Sequence, residues 1–203
     1  MRAVYLARSV ERPFDVTWER LNYRRAEADG ARGTVSFSKA GVVALFFDPK
    51  SPRAPANSKK PYVLAPHLQG MRGALLHHAG RETFATMELE SGGQTGPVVT
   101  AAFWSEEDGT LVGARSWARL AADGARLVDT ELARPEKAIA TFADKYGFSQ
   151  GQTDVVTRLF GGKAKLATSS ARVVITAADR AALGLVTNQI ARDLLDGAGI
   201  TLE

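Results

Sequence analysis

Polar and apolar positions alternate at Val35-Ser36-Phe37-Ser38, the period of a strand with one face buried, and Lys39-Ala40-Gly41 can turn that strand back into Val42-Val43-Ala44-Leu45-Phe46-Phe47. The second run has no polar face. A strand that is apolar on both sides is covered on both sides, so residues 42–47 are expected at the middle of a sheet, with Asp48-Pro49 ending the strand. Upstream, residues 3–10 alternate as a first strand broken by Pro13. Asp15 is then placed to cap a helix with Trp18, Leu21 and Arg25 on one face and Gly30 beyond its end.

Downstream, residues 62–79 return to helical spacing, interrupted by Pro66, Gly70 and Gly73 and closed by Gly80. Residues 83–90 and 97–104 alternate around Ser91-Gly92-Gly93-Gln94-Thr95-Gly96, which predicts a β-hairpin with Glu82, Thr86, Glu88 and Glu90 on a wet face. Strands over 111–117 and 126–132, separated by an Asp123-Gly124 turn, would extend it into an antiparallel meander. The C-terminal third reads as helical. Pro135 suits a first helical turn, and Gly147-Phe148 forms a Schellman-type stop. Ser149 and Gln152 have capping-box spacing for a helix that Gly161-Gly162 would end. A short strand over 172–175 leads to Thr176 and Asp179, which open a last helix with Leu183, Val186, Ile190 and Leu194 in one stripe. This order predicts an α+β fold over 1–203 as a single domain, a largely antiparallel sheet, including a meander in the C-terminal half, with helices packed on it.

Composition narrows the class. With 203 residues, 45% hydrophobic and 24% charged, the chain can bury one good-sized core and has no apolar excess that calls for a bilayer. Residues 1–10 lack the apolar core of a secretory signal, so a cytoplasmic location without membrane contact is expected. The absence of cysteine excludes disulfides and thiol catalysis, and three histidines leave little for a metal, so none is expected. A net charge of +4 favours an acidic partner over a basic one. The excess is scattered and arginine-rich beside abundant alanine and glycine, as a GC-rich bacterial genome produces without selection for nucleic-acid binding.

Two stretches carry candidate contacts. Residues 50–61 form a long loop, punctuated by prolines, with Lys50, Arg53, Lys59 and Lys60 and no acid. It is expected to be exposed and mobile and to bind a protein partner with an acidic surface. His77 and His78 fall at the end of a helix, where the last carbonyls and the helix dipole favour them. Adjacent histidines project in different directions and do not share one metal as an i, i+4 pair does.

Signatures of catalysis are incomplete. No Gly-x-Ser-x-Gly elbow and no Gly-x-Gly-x-x-Gly fingerprint occurs, and the glycine-rich turn at 91–96 meets Pro97 and a strand where a phosphate loop needs Lys-Ser or Lys-Thr and a helix. Arg8, Ser36-Phe37-Ser38 and Glu88-Leu89-Glu90 resemble, in order, the motifs of the arginine, serine, glutamate class of ADP-ribosyltransferases. The resemblance implies NAD, with Arg8 on the pyrophosphate, Ser36 or Ser38 positioning the nicotinamide half, and Glu88 or Glu90 stabilising the oxocarbenium-like ribose. It departs from that family at Phe37, where a threonine is usual, and in the long stretch that follows Glu90.

The leading expectation is a non-enzymatic interaction protein that binds another protein and needs no cofactor, such as a toxin-neutralising immunity protein or an adaptor. An NAD-dependent transferase is the alternative, and a nucleic-acid-binding accessory protein is a third class. The transferase resemblance makes a direct prediction: calorimetry would record saturable NAD binding that Glu90→Gln abolishes. Absence of heat removes the transferase.

Overall fold

The computed structural model describes residues 16–19, 22–91, 94–105, 109–165, 172–185, 192, 195–196 and 200–203. The fold is α+β, a largely antiparallel sheet with helices packed on it. The chain divides into two compact units, 14–129 and 1–13 with 130–203.

In the first unit six strands pair antiparallel in the order β1 (Val16–Glu19), β2 (Asn22–Ala26), β3 (Arg32–Ser38), β4 (Gly41–Phe47), β7 (Ala101–Ser105) and β8 (Leu111–Gly113). A separate hairpin joins β5 (Glu88–Ser91) to β6 (Gln94–Pro97). The apolar run of β4 explains the layering. Val43 and Leu45 pack with Leu75, Met87, Val99 and Trp104 on one face, under α1 (Gly73–His78) and the turns that follow it. Ala44 and Phe46 pack with Phe103, Leu120, Leu127 and Val128 on the other, under α2 (Trp117–Ala122) and a 3₁₀ turn at Ala125–Val128. Residues 43–46 are fully buried, as a strand covered on both sides requires; Val42 and Phe47, at its ends, are only half-buried.

Several expected elements change. The helix expected after Asp15 is instead the β1–β2 hairpin, with Glu19 opposite Asn22 and Val16 opposite Arg25. Pairing of β2 with β3 outweighs the local helical spacing of Trp18, Leu21 and Arg25. The helix expected over 62–79 is confined to α1, preceded by a 3₁₀ turn at Ala65–His67 and continued past Gly80 by a π turn at Ala79–Thr83. The hairpin around residues 91–96 is present but shorter than expected, since 84–87 is a 3₁₀ turn and 101–105 belongs to the large sheet. Of the expected meander, 111–113 pairs with β7, whereas 126–132 is no strand. Ala125, Leu127 and Val128 cover the Phe46 face, so their apolar character serves packing over the sheet instead of a ladder within it.

In the second unit Pro135 opens α3 (Pro135–Lys145), and Phe148 N–H reaches Ala143 O (2.8 Å) across Gly147 at φ +61°, the expected Schellman stop. Ser149 and Gln152 cap α4 (Gln150–Lys165) reciprocally, and that helix runs through Gly161-Gly162 where an end was expected. Thr176 and Asp179 form the expected capping box of α5 (Ala177–Leu183), which ends at Gly184 and not near Leu194. Val186, Ile190 and Leu194 lie outside the described residues. β9 (Val173–Ile175) pairs parallel with β10 (Ile200–Leu202), and Val156, Leu159, Ile175, Leu183 and Leu195 form this unit's core.

Gly33 sits opposite Phe46, and a Cβ there would come within 2.2 Å of Phe46 Cδ1. Phe46 cannot swing aside, being fully buried and stacked on Phe103 at 5.7 Å. Gly33→Ala is therefore expected to destabilise the fold by roughly 1–3 kcal/mol, the cost of overpacking, as read from urea unfolding. An unchanged midpoint would refute that close approach.

Candidate functional site

A buried polar network forms where β4 ends, within the first unit. Thr100 N–H donates to Phe46 O (2.8 Å), and the Thr100 hydroxyl accepts from Asp48 N–H (2.9 Å) and donates to Asp123 O (2.5 Å). The turn after Asp123 depends on Gly124 at φ +124°, where a Cβ would crowd Asp48 and Phe46 at 3.3 Å. These bonds set two buried carboxylates, Asp48 and Asp123, at the same end of the sheet.

Each carboxylate takes a guanidinium. Asp48 accepts from Arg126 Nη2 (3.1 Å) and Lys50 N–H (2.8 Å), and Arg126 Nη1 also donates to Glu27 (2.8 Å). Asp123 accepts from Arg115 Nη1 (2.6 Å) and from the Ser51 hydroxyl (2.7 Å). Ser51 Oγ in turn accepts from Arg53 N–H (3.1 Å), and Asn57 Nδ2 donates to Pro49 O and Ser51 O (2.7 and 2.9 Å). Ser51 and Ala54 are buried. Ser51 and Ala54 are thus folded onto the sheet end where exposure was expected, whereas Lys50, Pro52 and residues 56–60 are exposed as expected.

Arg53 stands apart from its neighbours. Its Nη2 lies 3.4 Å from His67 Nε2, and no carboxylate among the described residues pairs with it. An arginine only donates, so Nε2 is the acceptor and the ring proton sits on the buried Nδ1. His67 is buried and leans on the Tyr62 ring at 5.6 Å, while the Tyr62 hydroxyl accepts from Val99 N–H at 2.7 Å. Burial, then the Arg53 charge, pushes the His67 pKa down from 6.5 to about 4, with the Thr100 backbone opposing and Arg115 adding a smaller push. Burial chiefly, with Arg115 next, lowers the Arg53 pKa, and Asp123 and Tyr62 partly offset this. A guanidinium nevertheless stays charged. Burial likewise raises Tyr62. The corner therefore holds two cations, Arg53 and Arg115, a neutral imidazole and one carboxylate.

The expected partner-binding cations separate into three environments. Lys50 is exposed but bonded to Asp29 (2.7 Å), Arg53 is half-buried at the network, and Lys59 and Lys60 are exposed. Of the transferase-like residues, Arg8 lies outside the described residues. Ser36 is fully buried with its hydroxyl accepting from Thr83 (2.9 Å), and Ser38 donates to Gly41 O (3.0 Å). Glu88 and Glu90 are exposed on β5. His77 and His78 end α1 as expected. Among the described residues no group of three or more His, Asp or Glu is placed to hold a metal ion, and no helix is long and apolar enough to cross a membrane.

Asp48, His67, Arg115 and Asp123 were not singled out as site residues by pattern. Asp48-Pro49 and Asp123-Gly124 carry turn chemistry, which hides a pairing role, and Ser51 and Asp123 are 72 positions apart. No family model, curated protein or solved structure matches the chain.

His67 gives the network a pH signature. An unfolded-chain pKa near 6.5 against about 4 in the fold means the unfolded state binds more protons between these values. Stability from this group is complete above pH 6.5, falls as pH drops toward 4, and changes no further below. Unfolding free energies at pH 7 and pH 4.5 are expected to differ by on the order of 2 kcal/mol more in the parent than in His67→Gln. Equal differences would show that the ring is not held neutral.

Proposed function

We propose that the protein is a non-enzymatic interaction protein that binds a partner protein through an acidic surface. The observation that carries this reading is Arg53, a half-buried guanidinium whose contact is an imidazole while both neighbouring buried carboxylates are occupied by Arg126 and Arg115. A half-buried charge whose nearby carboxylate, Asp123, is already held by Arg115 is only partly compensated, and an anionic side chain from a partner would offset the remaining cost. The exposed Lys59 and Lys60 continue the basic character along the same loop and would act on the rate of encounter. Lys50 is already matched by Asp29 and is not part of the contact. Immunity proteins and adaptors work in this manner, by occupying a surface without chemistry of their own.

Biolayer interferometry on immobilised poly-L-glutamate tests this, with poly-L-lysine and random-sequence DNA and RNA as controls. Binding is expected to weaken as salt rises, to fall by about tenfold in Arg53→Ala, a loss of about 1.4 kcal/mol, and to stay unchanged in Lys50→Ala. Equal binding by parent and Arg53→Ala would remove Arg53 as the anchor. Preference for nucleic acid, lost in the same variant, would move the protein to the nucleic-acid-binding class.

A further inference from the structure

His67 is a buried imidazole at the end of the 3₁₀ turn Ala65–His67, and its Nε2 lies 3.4 Å from Nη2 of Arg53, on the loop that follows β4. Its ring leans on Tyr62 at 5.6 Å. The charged and titratable groups that face it among the described residues are Arg53, the Arg115 guanidinium after β8, and Tyr62, with Asp123 standing behind Arg115 at 2.6 Å. Burial and both guanidiniums oppose a charged ring, while the Thr100 backbone favours one. The lone pair on Nε2 therefore has two exclusive uses. It accepts from Arg53, or it takes a proton.

We infer that anion binding at Arg53 is proton-linked through His67: as an acidic side chain of the partner takes the guanidinium, the imidazole gains a proton on Nε2, and the partner binds more tightly in mild acid than at neutral pH. This rests on the proposed reading of Arg53 and gives that site its regulation. A carboxylate at Arg53 draws the guanidinium's donors to itself, which frees the Nε2 lone pair, and its charge offsets the field of Arg53 at the ring. The proton comes from solvent. The imidazolium that forms adds an N–H donor and a positive charge beside the anion. Linkage fixes the sign, because an anion that raises the ring's affinity for a proton must itself be bound more tightly by the protonated form. In the free fold the ring titrates at about 4, below its ordinary 6.5. A partner that restores most of that difference is bound about tenfold more tightly at pH 5 than at pH 7.

The test uses the full chain and a fluorescent hexa-aspartate peptide, whose carboxylates stay largely ionised between pH 5 and pH 7. By anisotropy the tightening from pH 7 to pH 5 is expected to be about tenfold greater in the parent than in His67→Gln. Calorimetry at pH 5.5 in two buffers of different ionisation enthalpy should count close to one more proton taken up per complex in the parent than in that variant. Proton NMR of the parent needs no variant: the imidazole resonance with the lowest titration midpoint should move up by about one pH unit or more when peptide is present, and that of His77, exposed on α1, should move less. Equal pH dependence in parent and His67→Gln, or an unmoved midpoint, would overturn the linkage, and Arg53 stays the anchor where Arg53→Ala still loses binding at both pH values. Affinity that weakens in acid in the parent alone would overturn it too, by showing that the contact needs the neutral ring. A peptide that the parent does not bind, or that Arg53→Ala binds equally well, removes the proposed reading and the linkage with it.

Discussion

The buried carboxylate of Asp123 is the constraint on which the rest of the first unit's polar end depends. At 4% exposure it must be matched, since an ionised group removed from water recovers that cost only through close, well-directed partners. Its partners come from three separate stretches: the Ser51 hydroxyl after β4, the Arg115 guanidinium after β8, and the Thr100 hydroxyl, which donates to the Asp123 carbonyl ahead of β7. Its own N–H completes the end of α2 at Arg119 and Leu120. One residue therefore fixes the positions of three connections that the sheet alone leaves free.

Such pairing does little for net stability, because desolvation opposes the Coulombic gain, but it restricts geometry strongly. Ser51 shows how the restriction spreads. Its oxygen donates to Asp123 and accepts from Arg53 N–H, so the turn bearing Arg53 is held by the same bond that satisfies the carboxylate. Asn57 ties the far side of that turn to Pro49 and Ser51. Arg53 is consequently presented at a fixed place, which lowers the ordering cost of using it in a contact.

What was legible in the sequence follows the range of the forces involved. The central position of residues 43–46 could be read because a continuous apolar run demands cover on two faces, wherever the cover comes from. The Gly147 stop and the Thr176–Asp179 box could be read because caps are local chemistry. The β1–β2 hairpin could not, since the spacing of Trp18, Leu21 and Arg25 suits a helix and only pairing with β3 decides otherwise. Leu127 and Val128 failed in the same way, apolar enough for a strand but used to roof one. Arg53 was marked by its basic loop, yet its partner His67 was not. A single histidine behind Pro66 has no pattern, and only the fold shows that it is buried against a cation.

His67 also explains how Arg53 is held at ordinary pH. Arg53 keeps this contact only while the imidazole offers a lone pair. A protonated imidazole would have no lone pair for Nη2 and would repel it. The burial that keeps His67 neutral well below pH 6.5 therefore preserves the acceptor that orients the guanidinium. The same burial weakens the fold in acid, so the positioning of Arg53 and the pH sensitivity of the fold have one cause.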